Sequence, residues 1–344
     1  MFIFTIVPCS IKKCTDTPTT INNNSNNSTS STTHQTTITS TTPISICPEG
    51  WISGVDYCYK NITAYSPGFK SIVAVTNDLV ALTDENTIKI LNVTNGHEQR
   101  TLTGHLSSVN SLAMLNTGDL ASSSDDNTIK LWRIADGFEL KSFGGHLSSI
   151  SRIVELADGR IASCGRSDPD IKIWSPYLES QLNQSIKTND SDVSQLAVLS
   201  ETHLAIGYDS GLIRLINITD GQEMTVLKRH NGSILSLLSL PNGYFVSGSA
   251  DTTINVWRNS DGLFRMSIGG HSSGVDVLVV LQGLYLISSG SSESSIKLWS
   301  LSDGSYLCEV AESIHGVNAI AVLDSSLIVF GLADGSVFTG YLLS

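Results

Sequence analysis

The segment SSDDNTIKLWRIADG, residues 123–137, returns as GSADTTINVWRNSDG at 248–262 and as SSESSIKLWSLSDG at 291–304. Aligned on the residue that ends each TIKLW-like run, the copies fall at Leu91, Trp132, Trp174, Ile216, Trp257, Trp299 and Gly340, separated by 41, 42, 42, 41, 42 and 41 residues. So constant a period over seven copies makes the folded part an array of one supersecondary unit. A single unit cannot bury its apolar side alone and must stack on its neighbours. Seven such units fill the chain from about residue 58 to its last residue, 344.

The punctuation inside a unit says what that unit is. In the fifth, the runs ILSLLSL (234–240), YFVSGS (244–249), TINVWRN and LFRMSI (263–268) are separated by PNG, ADT and SDG. Each run has strand length and is rich in β-branched or aromatic residues, and each break carries turn chemistry. The unit therefore reads as a four-stranded antiparallel meander. The first run of a unit (ILSLLSL, VDVLVVL, VNAIAVL) is apolar at most positions rather than alternating, so both faces of its sheet are covered. Sheets stacked radially around an axis meet that condition.

These residues carry a resemblance: the chain is similar to WD-repeat β-propellers. Its marks are the dipeptides Gly104-His105, Gly145-His146 and Gly270-His271, whose histidines stand 27, 28 and 28 residues ahead of Trp132, Trp174 and Trp299. His230 stands 27 residues ahead of Trp257 without its Gly. The resemblance covers 58–344 and implies an all-β, seven-bladed propeller of four-stranded antiparallel blades. The repeats then fall at about 66–103, 104–144, 145–188, 189–229, 230–269, 270–312 and 313–344, within a propeller domain at 47–344. The seventh unit reaches Ser344 with only three strands. DYCYKNITAY, 56–65, occupies the place that FELKSF or LFRMSI holds before the following repeat, so it is expected to supply the missing outer strand and close the last blade.

The resemblance also implies a buried polar chain within a repeat. His105, Ser124, Asp126 and Trp132 fit it in the second repeat, and His230, Ser249, Asp251 and Trp257 in the fifth. The Trp indole donates to the Ser hydroxyl, and the His ring is fixed between Ser and an Asp carboxylate, so every polar group is satisfied. Other repeats depart from the pattern. Arg166 stands where Ser is expected beside Asp168, Ile216 replaces Trp, Glu293 replaces Asp, and the first repeat has Glu85 and Leu91 but no His. Apolar packing is expected to do more there. The Asp that follows Trp in the family is absent, replaced by Arg133, Ser175, Arg258 and Ser300.

Ahead of the repeats the composition changes. TDTPTTINNNSNNSTSSTTHQTTITSTTP, 15–43, has almost nothing apolar to offset backbone entropy, so residues 1–46 are expected to form a disordered Ser/Thr/Asn-rich head or stalk. The start, MFIFTIVPCSIKKC, holds an apolar run that is short for a signal peptide and also reads as the stump of a longer anchor. CPEGWISGVDYCYKN, 47–61, is similar to the disulfide-closed N-terminal hairpin of long-form C-type lectin domains, although no lectin domain follows. Cys47 and Cys58 are thus either a disulfide, implying an extracellular or luminal compartment, or reduced thiols at a strand edge. Cys164 and Cys308 fall inside strand runs and read as small buried apolar residues. Nine Asn-x-Ser/Thr sequons occur, two of them (Asn92 and Asn217) where the end of a third strand would tolerate a glycan. Location stays open between cytoplasmic, the family tendency, and extracellular or secreted.

Function is read mainly from what is missing. A net charge of −12 repels phosphate backbones, so no nucleic-acid partner is expected, and no apolar run is long enough for a transmembrane helix. GHSSG, 270–274, matches a hydrolase nucleophile pattern, but an inner strand follows it instead of a helix, so Ser272 reads as a loop residue. No metal spacing or phosphate loop appears, so neither enzyme nor cofactor is expected. The expectation is a monomeric, non-catalytic scaffold that binds proteins or peptides on its rim. The candidate contact residues are Asp84, Asp125, Asp192, Tyr208 and Arg229, beside Ser167, Ala250, Ser292 and Ala333 in equivalent turns. An acidic rim favours a basic peptide. The alternative is a secreted or surface-tethered recognition protein with a Ser/Thr-rich stalk, for which glycans are one candidate ligand.

Overall fold

In the computed structural model, residues 52–53 and 57–342 are described, except 69, 179–181, 189, 191, 291, 294, 313–315 and 325–326. The Ser/Thr/Asn-rich head and the Cys47–Cys58 pairing lie outside the described residues. What is described is all β: seven antiparallel sheets, six of them four-stranded and in sequence order. The second repeat is representative, with strands Val109–Met114, Asp119–Ser124, Thr128–Arg133 and Phe138–Gly144. The seventh has three strands, Val317–Val322, Leu327–Leu332 and Ser336–Leu342. Tyr57–Ala64 pairs antiparallel along the last of these, from Tyr57↔Leu342 to Ala64↔Ser336, and Ile52–Ser53 pairs in turn with Tyr59 and Cys58.

The first strands of the seven sheets contact one another in a closed ring, the strand Ile72–Ala74 of blade one touching both its blade-two and blade-seven counterparts. They therefore surround a central channel, and the sheets radiate from it as blades. Between consecutive blades lies one apolar cluster each. Ala81, Ile88, Ile90 and Leu102 of blade one meet Leu112, Leu120 and Trp132 of blade two. Leu215, Ala205 and Ile213 of blade four meet Ile234, Phe245 and Trp257 of blade five. The near-continuous apolar inner strands are thus explained, since each serves a cluster on either side.

Because each blade is a meander, its turns alternate between two ends of the propeller. The connections between blades and the turns joining second to third strands share one end, called here the upper face. Turns joining first to second and third to fourth strands lie at the other. Five inner strands begin with a β-bulge at the upper face, where an extra residue breaks the register: Asn110, Ser151, Ser194, Leu235 and Asn318. A bulge re-aims its side chain, and all five line the upper mouth of the channel.

Candidate binding face and its internal scaffold

Among the described residues four blades carry the polar chain, not two, and its serine is not the one expected. In blade two the Trp132 indole N–H donates to Ser122 Oγ at 2.8 Å, and Ser122 Oγ meets His105 Nε2 at 2.7 Å. His105 Nδ1 lies 2.8 Å from Asp126 Oδ2, which also accepts the Leu106 backbone N–H at 2.9 Å. Blade five repeats this with Trp257, Ser247, His230 and Asp251. Ser124 and Ser249 do another job. Each accepts the backbone N–H of the Asp two residues on and donates to a loop carbonyl, Ser107 or Gly232, so each pins the turn. The displacement has a simple cause. Ser122 and Ser124 lie on one face of the strand, but Trp132 is paired with Leu120, so its indole reaches the diagonal neighbour Ser122 and not the residue at the turn.

A serine displaced toward the start of the strand, here by three residues, also corrects the reading of blades three and six. Arg166 interrupts nothing, because Ser163 accepts from Trp174 at 2.7 Å and contacts His146 at 2.6 Å, while His146 meets Asp168 at 2.7 Å. In blade six Trp299, Ser288 and His271 form the same chain, and the longer arm of Glu293 reaches His271 Nδ1 at 2.6 Å. Ser272, inside the hydrolase-like GHSSG, donates its backbone N–H to the same carboxylate. A Cβ on Gly104, Gly145 or Gly270 would sit 3.1, 3.2 or 3.0 Å from the ring of Trp132, Trp174 or Trp299. The Gly of the Gly-His dipeptide thus packs tightly on the buried Trp at a φ of 127–158° that favours glycine, while blade five accommodates Arg229 at this position.

Burial holds all four histidines below their ordinary pKa, against the pull of their carboxylate partners. Each is thus a neutral ring whose Nδ1–H donates to the carboxylate while Nε2 accepts from the Ser hydroxyl. Asp126 and Asp251 are partly buried, which alone would raise them. Hydrogen bonds from Thr128, the Leu106 N–H and His105, and their blade-five equivalents, overcome this and bring both to about 2. Each chain ties a blade-to-blade loop of the upper face to the body of its sheet.

The five rim candidates separate on inspection. Asp84 is half-buried and accepts the Ser66 N–H at 3.1 Å. Asp125 is also half-buried and already engaged: Asn110 donates to it at 2.7 Å, Ser149 donates to it, and Lys70 stands 3.6 Å away. Asp192 is exposed at the upper face with φ of 71°. Tyr208 is not on the rim: it is 1% exposed, because it shares a strand face with Leu204 and Ile206 and packs with them toward blade three. Arg229 is exposed and lies 3.6 Å from the centre of the Phe264 ring, on the outer side of blade five.

Other expectations also need correction. Cys164 is a buried free thiol as expected, but Cys308 is disulfide-bonded. Asn92 is 7% exposed, and its side-chain oxygen accepts the Thr94 and Asn95 N–H groups, so it is a turn cap and no place for a glycan. Leu106 and Leu147, 89% and 82% exposed on the upper loops of blades two and three, are not among the residues singled out from the sequence. The signal was legible: GHLSS occurs twice, where the fifth and sixth repeats have Asn231 and Ser272.

Radial four-stranded antiparallel blades around a channel define the class, a seven-bladed β-propeller. More particularly, residues 96–133 and 221–258, in blades two and five with the strands that lead into them, match the family described as WD domain, G-beta repeat. No curated protein matches it. Among the described residues no group of three His, Cys, Asp or Glu side chains is placed to hold a metal ion, and no helix is long and apolar enough to cross a membrane.

Proposed function

We propose that this protein is a non-catalytic scaffold that binds proteins or peptides on its upper face. The observation that carries the reading is the pair Leu106 and Leu147, held in water at equivalent positions of adjacent blades. Their loops are fixed from below, since the backbone N–H of each leucine donates to the carboxylate of its polar chain, Asp126 or Asp168. A rigid loop displaying an apolar side chain loses little entropy on binding, which favours association. Asp84 and Asp192 add acidic groups that favour a partner with basic residues. Photo-crosslinking tests this. A benzoyl-phenylalanine at Leu106 or Leu147 should capture one defined partner, while the same group at Leu284, exposed at the opposite end, should not. Capture only from Leu284 would refute the proposal.

One observation favours a second reading, an extracellular or luminal recognition protein: the disulfide at Cys308, since such bonds persist in oxidising compartments. Intact mass of the native protein, with and without reduction before thiol alkylation, distinguishes the two.

A further inference from the structure

The upper mouth of the channel is a cavity of about 460 Å³ whose charged lining is Lys70, Arg152, Arg166 and Asp276. Three cations against one acid is unexpected in a chain of net charge −12. The cations differ in how far they are already neutralised. Lys70 is engaged: it donates to Asn110 Oδ1 and stands 3.6 Å from Asp125. Arg152 is not. Among the described residues no carboxylate lies within ion-pairing distance of its guanidinium, and its only side-chain partner is the neutral Gln195, whose Oε1 accepts from both Nε, at 2.8 Å, and a terminal N–H. Arg166, exposed at the edge, has no ion pair among the described residues either, and shares the adjoining cavity with Asp192 and Asp209.

Arg152 is also held in place. Gln195 donates from its amide nitrogen to the Leu235 carbonyl at 2.6 Å, which fixes its oxygen toward Arg152. Blades three, four and five thereby form one relay whose end is a guanidinium with further N–H groups open to the cavity. A guanidinium kept from carboxylates and locked by an amide is preorganised for a planar or tetrahedral oxyanion. The bulges of the inner strands explain how it gets there, since the register break after Ile150 aims Arg152 at the channel.

We propose that the channel mouth beside blades three and four is an anion site, in which Arg152, positioned by Gln195, and Arg166 receive one carboxylate or phosphate group borne by a partner peptide. The proposal rests on the scaffold reading above and gives it a chemistry. The acidic groups around the mouth, Asp192, Asp209 and Asp276, limit the site to a single anion and favour basic residues flanking it.

Two arms test it. In the first, the unfolding midpoint is measured with inorganic phosphate against sodium chloride at matched ionic strength. Phosphate should raise it by about 2–4 °C in the wild type and not in Arg152→Gln. No difference between the salts overturns the site. In the second, capped heptapeptides differing only at a central Glu, phosphoserine, Gln or Lys are titrated by fluorescence anisotropy. Glu and phosphoserine should bind at least about tenfold more tightly than Gln, the worth of a charge-assisted bond, and Arg152→Gln should erase the preference. Binding without preference for the anionic peptides overturns the inference while leaving the scaffold reading standing. A phosphate response with no binding of any peptide overturns the inference as stated and leaves a site for free anions only. Should Arg152→Gln not fold, Arg166→Gln, at an exposed position, carries both arms, with a several-fold weakening expected.

Discussion

Ser122, Ser123 and Ser124 are consecutive and each is fully buried, yet Ser122 and Ser123 should respond to alanine in opposite ways. Ser122 Oγ accepts from Trp132 and contacts His105 Nε2, so Ser122→Ala orphans an indole N–H and a ring nitrogen in a site with no exposure. Leaving a buried polar group unpaired costs about 1–3 kcal/mol, and two such groups sharing one lost hydroxyl place the total at about 2–4 kcal/mol. Ser123 Oγ faces the other side of the strand and has no hydrogen-bond partner. Ser123→Ala removes an unsatisfied hydroxyl and should be neutral or stabilising by up to about 1 kcal/mol. At about 2 °C per kcal/mol for a domain of this size, the midpoint should fall roughly 4–8 °C in the first variant and hold or rise in the second. Calorimetry of the two proteins reads this directly. Equal losses, or a larger loss at Ser123, would refute the assignment of the chain to Ser122.

Stability should also depend on pH through the four neutral histidines. Their folded pKa values lie below the unfolded value of about 6.5, so the unfolded chain binds more protons as pH falls, and stability present above about 6.5 is lost below it. Each contributes at most about 1.4 kcal/mol per pH unit, so the urea midpoint should be flat above pH 7 and drop toward pH 5; a flat profile down to pH 5 would contradict it. Asp126, Asp251 and Glu293, each held near 2, should add a second loss between about pH 4 and 2, visible in the same urea series continued to acid. Deleting residues 1–45 should leave a soluble, cooperatively unfolding protein, whereas deleting 1–66 removes Tyr57–Ala64 and exposes the edge of Ser336–Leu342, giving aggregation or a clearly lower midpoint. Identical elution and melting of the two truncations would show that this pairing does not close the ring.

What could be read in the sequence was what the repeat encodes. The period gave seven blades because any supersecondary unit recurring at 41–42 residues must place its strands alike, and the fifth unit's turns at PNG, ADT and SDG mark its strand ends to within a residue. Inside a strand the same text was ambiguous. Two serines two residues apart lie on one face, and only the diagonal reach of Trp132 separates them, which is three-dimensional information. Tyr208 was misplaced for a related reason: turns were read as exposed, while the last residue of a strand still follows the strand's alternation into the core. Arg152 was invisible because its place at the mouth depends on a bulge, and a bulge leaves no mark in the sequence of one strand.

The upper face as the working surface is tested most directly by comparing two double variants that differ only in which end of the propeller they alter. Leu106→Ser with Leu147→Ser changes the upper loops, and Leu263→Ser with Leu284→Ser changes two exposed leucines at the opposite end. Binding of the crosslinked partner, once identified, is then measured by titration with each. The upper pair should weaken binding about tenfold or more, as loss of a central apolar contact does, while the lower pair leaves affinity and both thermal midpoints unchanged. Loss of binding in the lower pair with retention in the upper would contradict the account.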